Sequence, residues 1–524
     1  MDTPVAPTNP NAALARHAVA YAMSQGVREV ILCAGARNLD LVKAFLAAPS
    51  IRSWRHFEER SAAFFALGRI QAGAGPVAVV VTSGTAVAEL LPAAVEARYQ
   101  GLPLLLLTAD RPRTFRGSGA PQTIDQAGLF GTHAPLLADL DSTLESTAPP
   151  PSIPPWKRTG PAQINLGFNE PAAEPESANP SAPGPPPLPP SPDFPCPPDW
   201  DHFESSDEEN LAIAVGALAP EEQPAVANWL ACLQAPVWIE PTSGLWGHPD
   251  LTPLWVRHAE ALFPKATHVL RLGGVPNGRF WRDLESQTHT RVRSLSRTGL
   301  PGLARPDAET HRCCLSGLAT QTPPPPITSP NWLAKVRAAD LQLSRQFPAS
   351  PPPHARELNF VAAISQIIPT HSHIFLGNSL PIRHWQAAAT WKPRFAFYAN
   401  RGANGIDGEI STFLGCAEGA PDAWAILGDL TALYDLAAPW ILPQMHSRKI
   451  RICLLNNYGG GIFTHLASMR NASDLVRDTI CNPHAVSFKP WAEMWQFHYL
   501  EWNDPGNLPQ IPDGPTVIEC TCSP

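Results

Sequence analysis

Asp429, which follows Gly428, and the later run Asn457-Tyr458-Gly459-Gly460-Gly461 carry side chains and backbone suited to a hard cation. An aspartate carboxylate and an asparagine amide oxygen are ligands of the kind magnesium takes, and a backbone carbonyl two residues past the asparagine adds a third. Magnesium completes its octahedron with phosphate oxygens and water. The glycines let the backbone approach a phosphate, and a helix opening near Thr431 would aim amide hydrogens at it. Either motif alone is what an ordinary strand-end turn looks like. Both together, each closing an apolar strand, point to a phosphate group held through a cation. No GxGxxG follows a strand and no GxxxxGK[ST] occurs, which disfavours dinucleotide and nucleoside-triphosphate sites. The acidic pair Glu58-Glu59 in HFEERSAAFFALGRIQ (56–71) is in isolation the ordinary acid of a helix N-terminus.

Short apolar runs must place these groups. AWAILGD (423–429) and RICLLNN (451–457) lead into the cation residues, and HIFLGNS (373–379) precedes them; REVILCAG (28–35), VAVVVTS (77–83) and LPLLLLTAD (102–110) repeat the plan near the start. Each alternates with an amphipathic stretch, the pattern of buried parallel strands joined by crossover helices. Both outer parts of the chain are therefore expected to be doubly wound α/β sheets, which bind ligands at the carboxyl ends of their strands. Residues 80–110 and 425–457 share the order strand, Gly/Thr turn, small-residue helix, strand, a weak internal repeat. APVWIE (235–240) and ATHVLRLGG (266–274) predict a smaller α/β layer between them.

Proline marks the boundaries. Of 61 prolines in 524 residues, 19 fall in 149–199 and 9 in 322–353. Proline fixes φ and lacks an amide hydrogen, so such runs favour extended spacers. The expected division is a first α/β domain over 1–172 that ends on the strand PAQINLGF (161–168), a linker at 173–199, a central domain over 200–321, a linker at 322–353 and a last domain over 354–524. With 38 basic against 46 acidic side chains the net charge is −8, which lacks the basic footprint of a nucleic-acid binder. The start has no basic region ahead of an apolar core and no window is apolar enough to span a membrane, so a cytoplasmic protein is expected. The 10 cysteines form neither a disulfide framework nor zinc pairs.

GDL followed by NNYGG resembles the signature of thiamine-diphosphate enzymes. The resemblance implies a three-domain thiamine-diphosphate-binding fold, each domain a doubly wound, mostly parallel α/β sheet. It implies thiamine diphosphate held through Mg2+, with Mn2+ as a substitute, by Asp429, Asn457 and the Gly459 carbonyl, and contacted by Gly428, Leu430, Thr431, Gly460 and Ile462. By position Glu59 is the acid that protonates the cofactor's aminopyrimidine, general acid/base chemistry in a dry pocket. Ile406 matches the bulky residue that bends the cofactor.

VTSGTAVAELLPA (81–93), LLTADRP (106–112), LGNSLPIR (376–383) and NRGANGIDGEIST (400–412) together resemble the 2-succinyl-5-enolpyruvyl-6-hydroxy-3-cyclohexene-1-carboxylate synthase family of menaquinone biosynthesis. That family decarboxylates 2-oxoglutarate and adds the succinyl carbanion to isochorismate, so two dicarboxylates must be held. Arginine suits a carboxylate clamp because its planar fork donates two hydrogen bonds and stays charged. The resemblance assigns this to Arg37, Arg111, Arg383 and Arg401, with Gln122 and Ser379 as neutral contacts and Arg279 where the family usually has lysine. Phe463 and Leu466 match an apolar wall. The family builds its site from two subunits, so a homodimer or homotetramer is implied. Three departures bear on substrate: Cys33-Ala34-Gly35-Ala36-Arg37 lacks a serine, Pro121 stands before Gln122, and Pro439 interrupts an expected helix. The sequence ends on TVIECTCSP, without the closing helix the resemblance implies. Another carboligase or 2-oxo acid decarboxylase of the acetolactate synthase kind, and a catalytically degraded cofactor-binding protein, stay open as alternatives.

Overall fold

The computed structural model describes residues 9–142, 152–171, 195, 210–320, 330–346, 356–392 and 395–522. Among them 17 strands form three sheets in which every pairing is parallel. The first contains β1 (Glu29–Leu32), β2 (Arg52–Arg55), β3 (Val77–Val81), β4 (Leu104–Asp110), β5 (Leu136–Asp141) and β6 (Ala162–Gly167), ordered β2-β1-β3-β4-β6-β5. The second contains β7 (Leu211–Val215), β8 (Val237–Ile239), β9 (His268–Leu272), β10 (Arg291–Ser296) and β11 (Glu309–Arg312), ordered β11-β10-β9-β7-β8. The third contains β12 (His373–Leu376), β13 (Ala396–Tyr398), β14 (Ala423–Gly428), β15 (Ile450–Asn456), β16 (His498–Trp502) and β17 (Thr516–Thr521), ordered β13-β12-β14-β15-β17-β16.

Counted from its own first strand, the third sheet has the same order as the first. The faint repeat in sequence is therefore one topology used twice: β3–β4 and β14–β15 occupy equivalent positions. Central strands are buried on both faces, as parallel strands covered by crossover helices must be. Leu104 to Leu107 of β4 are all fully buried, each worth about 2 kcal/mol of apolar burial. The edge strand β2, RSWR, is only partly covered, and its arginines suit an edge that must not pair further.

The chain divides into two compact units. One holds the first sheet together with 402–418 and 434–446; the other holds the second and third sheets with 419–433 and 447–524. In the first unit, helix Glu59–Arg69 crosses helix Glu409–Ala417 at two glycines. A Cβ on Gly68 would lie 2.0 Å from the Thr412 carbonyl oxygen, and one on Gly415 would lie 2.3 Å from that of Phe65. Only glycine permits so close a crossing, which is why the helix after NGIDG packs with the first sheet although the proline pattern groups it with the last segment.

Two proline expectations change in detail. The stretch 322–353 contains helix Pro330–Gln346. Its first residue is a proline, whose missing amide hydrogen has no helical partner in the first turn anyway. The helix opening at Asp429 stops at Leu433, and Pro439 is the second residue of a separate 3-10 segment, Ala438–Gln444, so it breaks no α-helix interior. The run 173–199 lies outside the described residues apart from 195. Among the described residues no helix is long and apolar enough to cross a membrane.

Candidate active site

In the first unit the candidate residues lie past the carboxyl ends of β1, β2 and β4. The loop after β1 is pinned by the fully buried Asn38, whose Oδ1 accepts from Gly35 N (2.8 Å) and whose Nδ2 donates to the Cys33 carbonyl (2.9 Å). This holds Arg37 without the serine that is absent here. Arg37 is buried and donates Nη1 to the Phe168 carbonyl at 3.0 Å and Nη2 to Glu170 at 2.5 Å. Arg111 reaches the same Glu170 oxygen at 3.5 Å and donates Nε to the Pro121 carbonyl at 3.1 Å. Two predicted carboxylate clamps thus converge on one carboxylate, and the unexpected Pro121 takes part by ordering the stretch that carries Gln122. Gln122 is exposed and holds φ at 57°, an uncommon conformation outside glycine.

The acids after β2 separate cleanly. Glu58 is the N-cap of helix Glu59–Arg69: its carboxylate accepts from Arg60 N (3.0 Å) and Ser61 N (2.9 Å) and also from the Ser61 hydroxyl. Glu59 is half-buried, and among the described residues no other residue's hydrogen bond reaches its carboxylate. Burial pushes its pKa above the ordinary value, and the charges of Glu58 and Glu89 add to the rise. A carboxyl whose protonated form burial favours can exchange that proton with a ligand. Ile406 is half-buried in the loop before helix Glu409–Ala417, and Glu96 anchors that loop by accepting from Gly402 N (2.6 Å) and Ala403 N (2.7 Å).

In the second unit, Asp429 caps the end of β14 and Asn457 that of β15, adjacent strands of the third sheet. Asp429 is 2% exposed; its Oδ1 accepts from Leu430 N (2.7 Å), its Oδ2 from Gly459 N (2.9 Å), and His484 Nε2 lies 3.3 Å from Oδ2. Burial pushes its carboxyl up, with these amides and His484 pulling back. The helix begins at Asp429 itself, so buried Thr431 lies in its first turn. Of the two asparagines, Asn456 is consumed by the fold: Nδ2 donates to Glu519 (2.6 Å) and to the Val486 carbonyl (3.2 Å), and Oδ1 accepts from Tyr458 N (3.0 Å). Asn457 donates Nδ2 to Glu357 at 2.9 Å, and its Oδ1 is buried with no hydrogen-bond partner. An orphaned buried amide oxygen and a buried carboxylate at the ends of adjacent strands are donors of the kind a hard cation needs. Gly461 makes room for that amide, since a Cβ there would lie 2.5 Å from Asn457 Nδ2. At Gly428 a Cβ would meet only Thr431 Oγ1 at 3.8 Å, so the fold leaves open the space a phosphate would fill. Gly460 is buried and Ile462 half-buried, while Phe463, in the 3-10 segment Gly461–His465, and Leu466, just after it, are exposed.

β12 and β14 are neighbours where the strand order reverses, the usual ligand crevice of an open α/β sheet. Ser379, after β12, holds φ 71° and ψ −122°, a costly conformation for serine, and its side chain makes no capping hydrogen bond. Arg401 donates Nη1 to Asn378 Oδ1 at 2.9 Å and faces the fully buried Glu240 at 3.8 Å. Arg383 has its pKa pushed down by burial and by the charges of Arg401 and Arg282, Glu260 countering only in part. That cationic group favours an anion. Arg279 is set apart: its guanidinium is 71% exposed and pairs with Asp283, and Arg282 of the same helix is the charge that acts on Arg383. Sequence reasoning missed Glu170, Glu240, Glu357 and His484, and also Asn378; of these only Glu240, closing APVWIE, and Asn378, inside LGNSLPIR, stood in a quoted stretch.

Residues 14–129 match the family described as thiamine pyrophosphate enzyme, N-terminal TPP binding domain. Over 517 residues the chain is 41% identical to the 2-succinyl-5-enolpyruvyl-6-hydroxy-3-cyclohexene-1-carboxylate synthase of Akkermansia muciniphila, covering 94% of this chain and 92% of the relative. It is 38% identical over 506 residues to the enzyme of that name from Bdellovibrio bacteriovorus, with the same coverage, and 33% identical over 525 residues to that of Chloroflexus aurantiacus, covering 91% and 86%. Likeness of this extent, covering 94% of the chain, means that the chain belongs to the 2-succinyl-5-enolpyruvyl-6-hydroxy-3-cyclohexene-1-carboxylate synthase family of thiamine-diphosphate enzymes.

Proposed function

We propose that the protein decarboxylates 2-oxoglutarate and joins the remaining four-carbon unit to isochorismate, forming the menaquinone precursor named in its relatives. The observation that carries this reading is the convergence of Arg37 and Arg111 on the Glu170 carboxylate. It supports a site built to grip carboxylates, as an acceptor and a donor that are both dicarboxylates require. Arg383 and Arg401 supply a second cationic pair in the other unit; Gln122 and Ser379 are the neutral contacts, and Arg279 stays a weaker candidate because its guanidinium is paired with Asp283.

Thiamine diphosphate would be held through Mg2+ or Mn2+ by Asp429, Asn457 Oδ1 and the Gly459 carbonyl, with its phosphates against Gly428, Leu430, Thr431 and Gly460. When bound, it supplies the electron sink for the carbon that loses CO2. The chain's own residues do the rest. Glu59 holds a proton for the aminopyrimidine nitrogen and takes it back. Ile406 and Ile462 press on the cofactor, and Phe463 and Leu466 shield the reacting carbon from water. We further propose a homodimer or homotetramer in which two copies complete each site, which supports a role for Phe463 and Leu466 despite their exposure in one chain. We place this activity in a cytoplasmic setting, where buried thiols such as Cys33, Cys453 and Cys520 stay reduced.

The test is incubation of the purified protein with thiamine diphosphate, Mg2+, 2-oxoglutarate and isochorismate while isochorismate absorbance is followed. Consumption that needs all four components is expected. Turnover of pyruvate in place of 2-oxoglutarate would favour a carboligase of the acetolactate type, and cofactor binding without turnover a degraded enzyme.

A further inference from the structure

Glu357 lies in the first turn of helix Arg356–Ile367, a hundred residues before Asn457, in a stretch that carries no motif. Its carboxylate is shared. Oε1 accepts from Asn457 Nδ2 at 2.9 Å, and Oε2 lies 3.0 Å from His384 Nε2. His384 belongs to helix Leu380–Ala388, which starts directly after Ser379 and contains Arg383. A carboxylate accepts hydrogen bonds and an ionised one cannot donate, so it allows the Asn457 amide only one orientation: NH2 toward Glu357, oxygen away from it. That oxygen is the buried, unpartnered Oδ1, on the strand end next to the one that Asp429 closes.

We propose that Glu357 is the positioning residue of the cation site: it fixes the Asn457 amide so that Oδ1 faces the metal, and through His384 it ties this loop to the helix that follows Ser379. The inference rests on the cation reading given above. Without Glu357 the amide is free to rotate and to offer its NH2, which repels a cation. Partners that orient a metal ligand in this way are typically worth about 10–100-fold in metal affinity.

The experiment measures Mn2+ affinity of the full-length protein with thiamine diphosphate present, by electron paramagnetic resonance of free Mn2+, beside circular dichroism of every variant. Glu357→Ala is expected to weaken Mn2+ binding by about tenfold or more. An exchange of partners gives the stricter readout. Asn457→Asp sets two carboxylates against each other and should weaken binding. Adding Glu357→Gln restores one donor and one acceptor, now reversed, and should recover Mn2+ affinity to within about threefold of wild type, a difference well under 1.4 kcal/mol. Wild-type affinity in a folded Glu357→Ala variant, or a double variant no better than Asn457→Asp alone, would overturn the proposal. Should Glu357→Ala not fold, the exchange decides. Failure of the wild type to bind Mn2+ would sink the cation reading and this inference with it, a result distinct from wild-type binding that the variants leave unchanged.

Discussion

Glu58-Glu59 in the first unit and Asn456-Asn457 in the second are doublets of identical residues past the carboxyl ends of parallel strands, and in each the first member is absorbed by the backbone around it. Glu58 caps a helix and Asn456 laces β15 to Glu519 and the Val486 stretch. The second member of each keeps an oxygen with no structural partner. They differ in how that oxygen is kept available. Glu59 is left with no side-chain partner and half exposed, which suits a proton that must come and go. Asn457 is held by Glu357 with its amide oxygen buried, which suits a ligand that must not move. A group that transfers protons needs freedom, and one that coordinates a cation needs a fixed lone pair.

Substitutions within the doublets should break this division in order of size. Glu59→Gln should lower the turnover rate by about 10²–10⁴-fold, the usual worth of a positioned acid/base, while retaining cofactor binding; normal C2 proton exchange in this variant would show that Glu59 is the wrong acid. Asn456→Ala leaves the Glu519 carboxylate and the Tyr458 amide short of partners and should cost about 2 kcal/mol, read as an earlier urea midpoint; an unchanged midpoint would contradict its structural role. Glu58→Ala removes a helix cap and should cost about 1 kcal/mol. Equal rate losses in Glu58→Ala and Glu59→Gln would erase the contrast between the two acids.

The smallest effect is one of pH. The folded-state pKa of Glu59 is raised, by burial first and then by Glu58 and Glu89. A raised carboxyl contributes its stability at low pH and loses it as pH rises through the folded pKa. Glu59→Gln should therefore unfold at a higher temperature than wild type at pH 8 without cofactor. The gap should close as pH falls toward the ordinary glutamate value of about 4.3. A gap that widened on acidification would mean that Glu59 is stabilised as the anion.

The strands were legible because burial on two faces demands continuous apolar runs: VAVVV and LLLLTAD are β3 and β4, and the island PAQINLGF contains β6. Their shared order with the third sheet was less so, since topology constrains which strands are neighbours and leaves their sequences free. The placement of helix Glu409–Ala417 was hidden for a related reason, because it depends on glycines at 68 and 415 that meet only in space.

For the site, local sequence determined which chemistry is present: an aspartate and asparagines at strand ends, glycines where a phosphate would approach, acids at a helix start. These follow from the few side chains that can bind cations, carry protons or permit a tight backbone, and each is written within a few residues of the end of an apolar run. Tertiary structure alone decided which member of each doublet is free. The partners that decide it, Glu519 for Asn456, Glu357 for Asn457 and Glu170 for the two arginines, come from remote stretches with no motif, because a hydrogen bond depends on position in space and leaves no mark on sequence spacing.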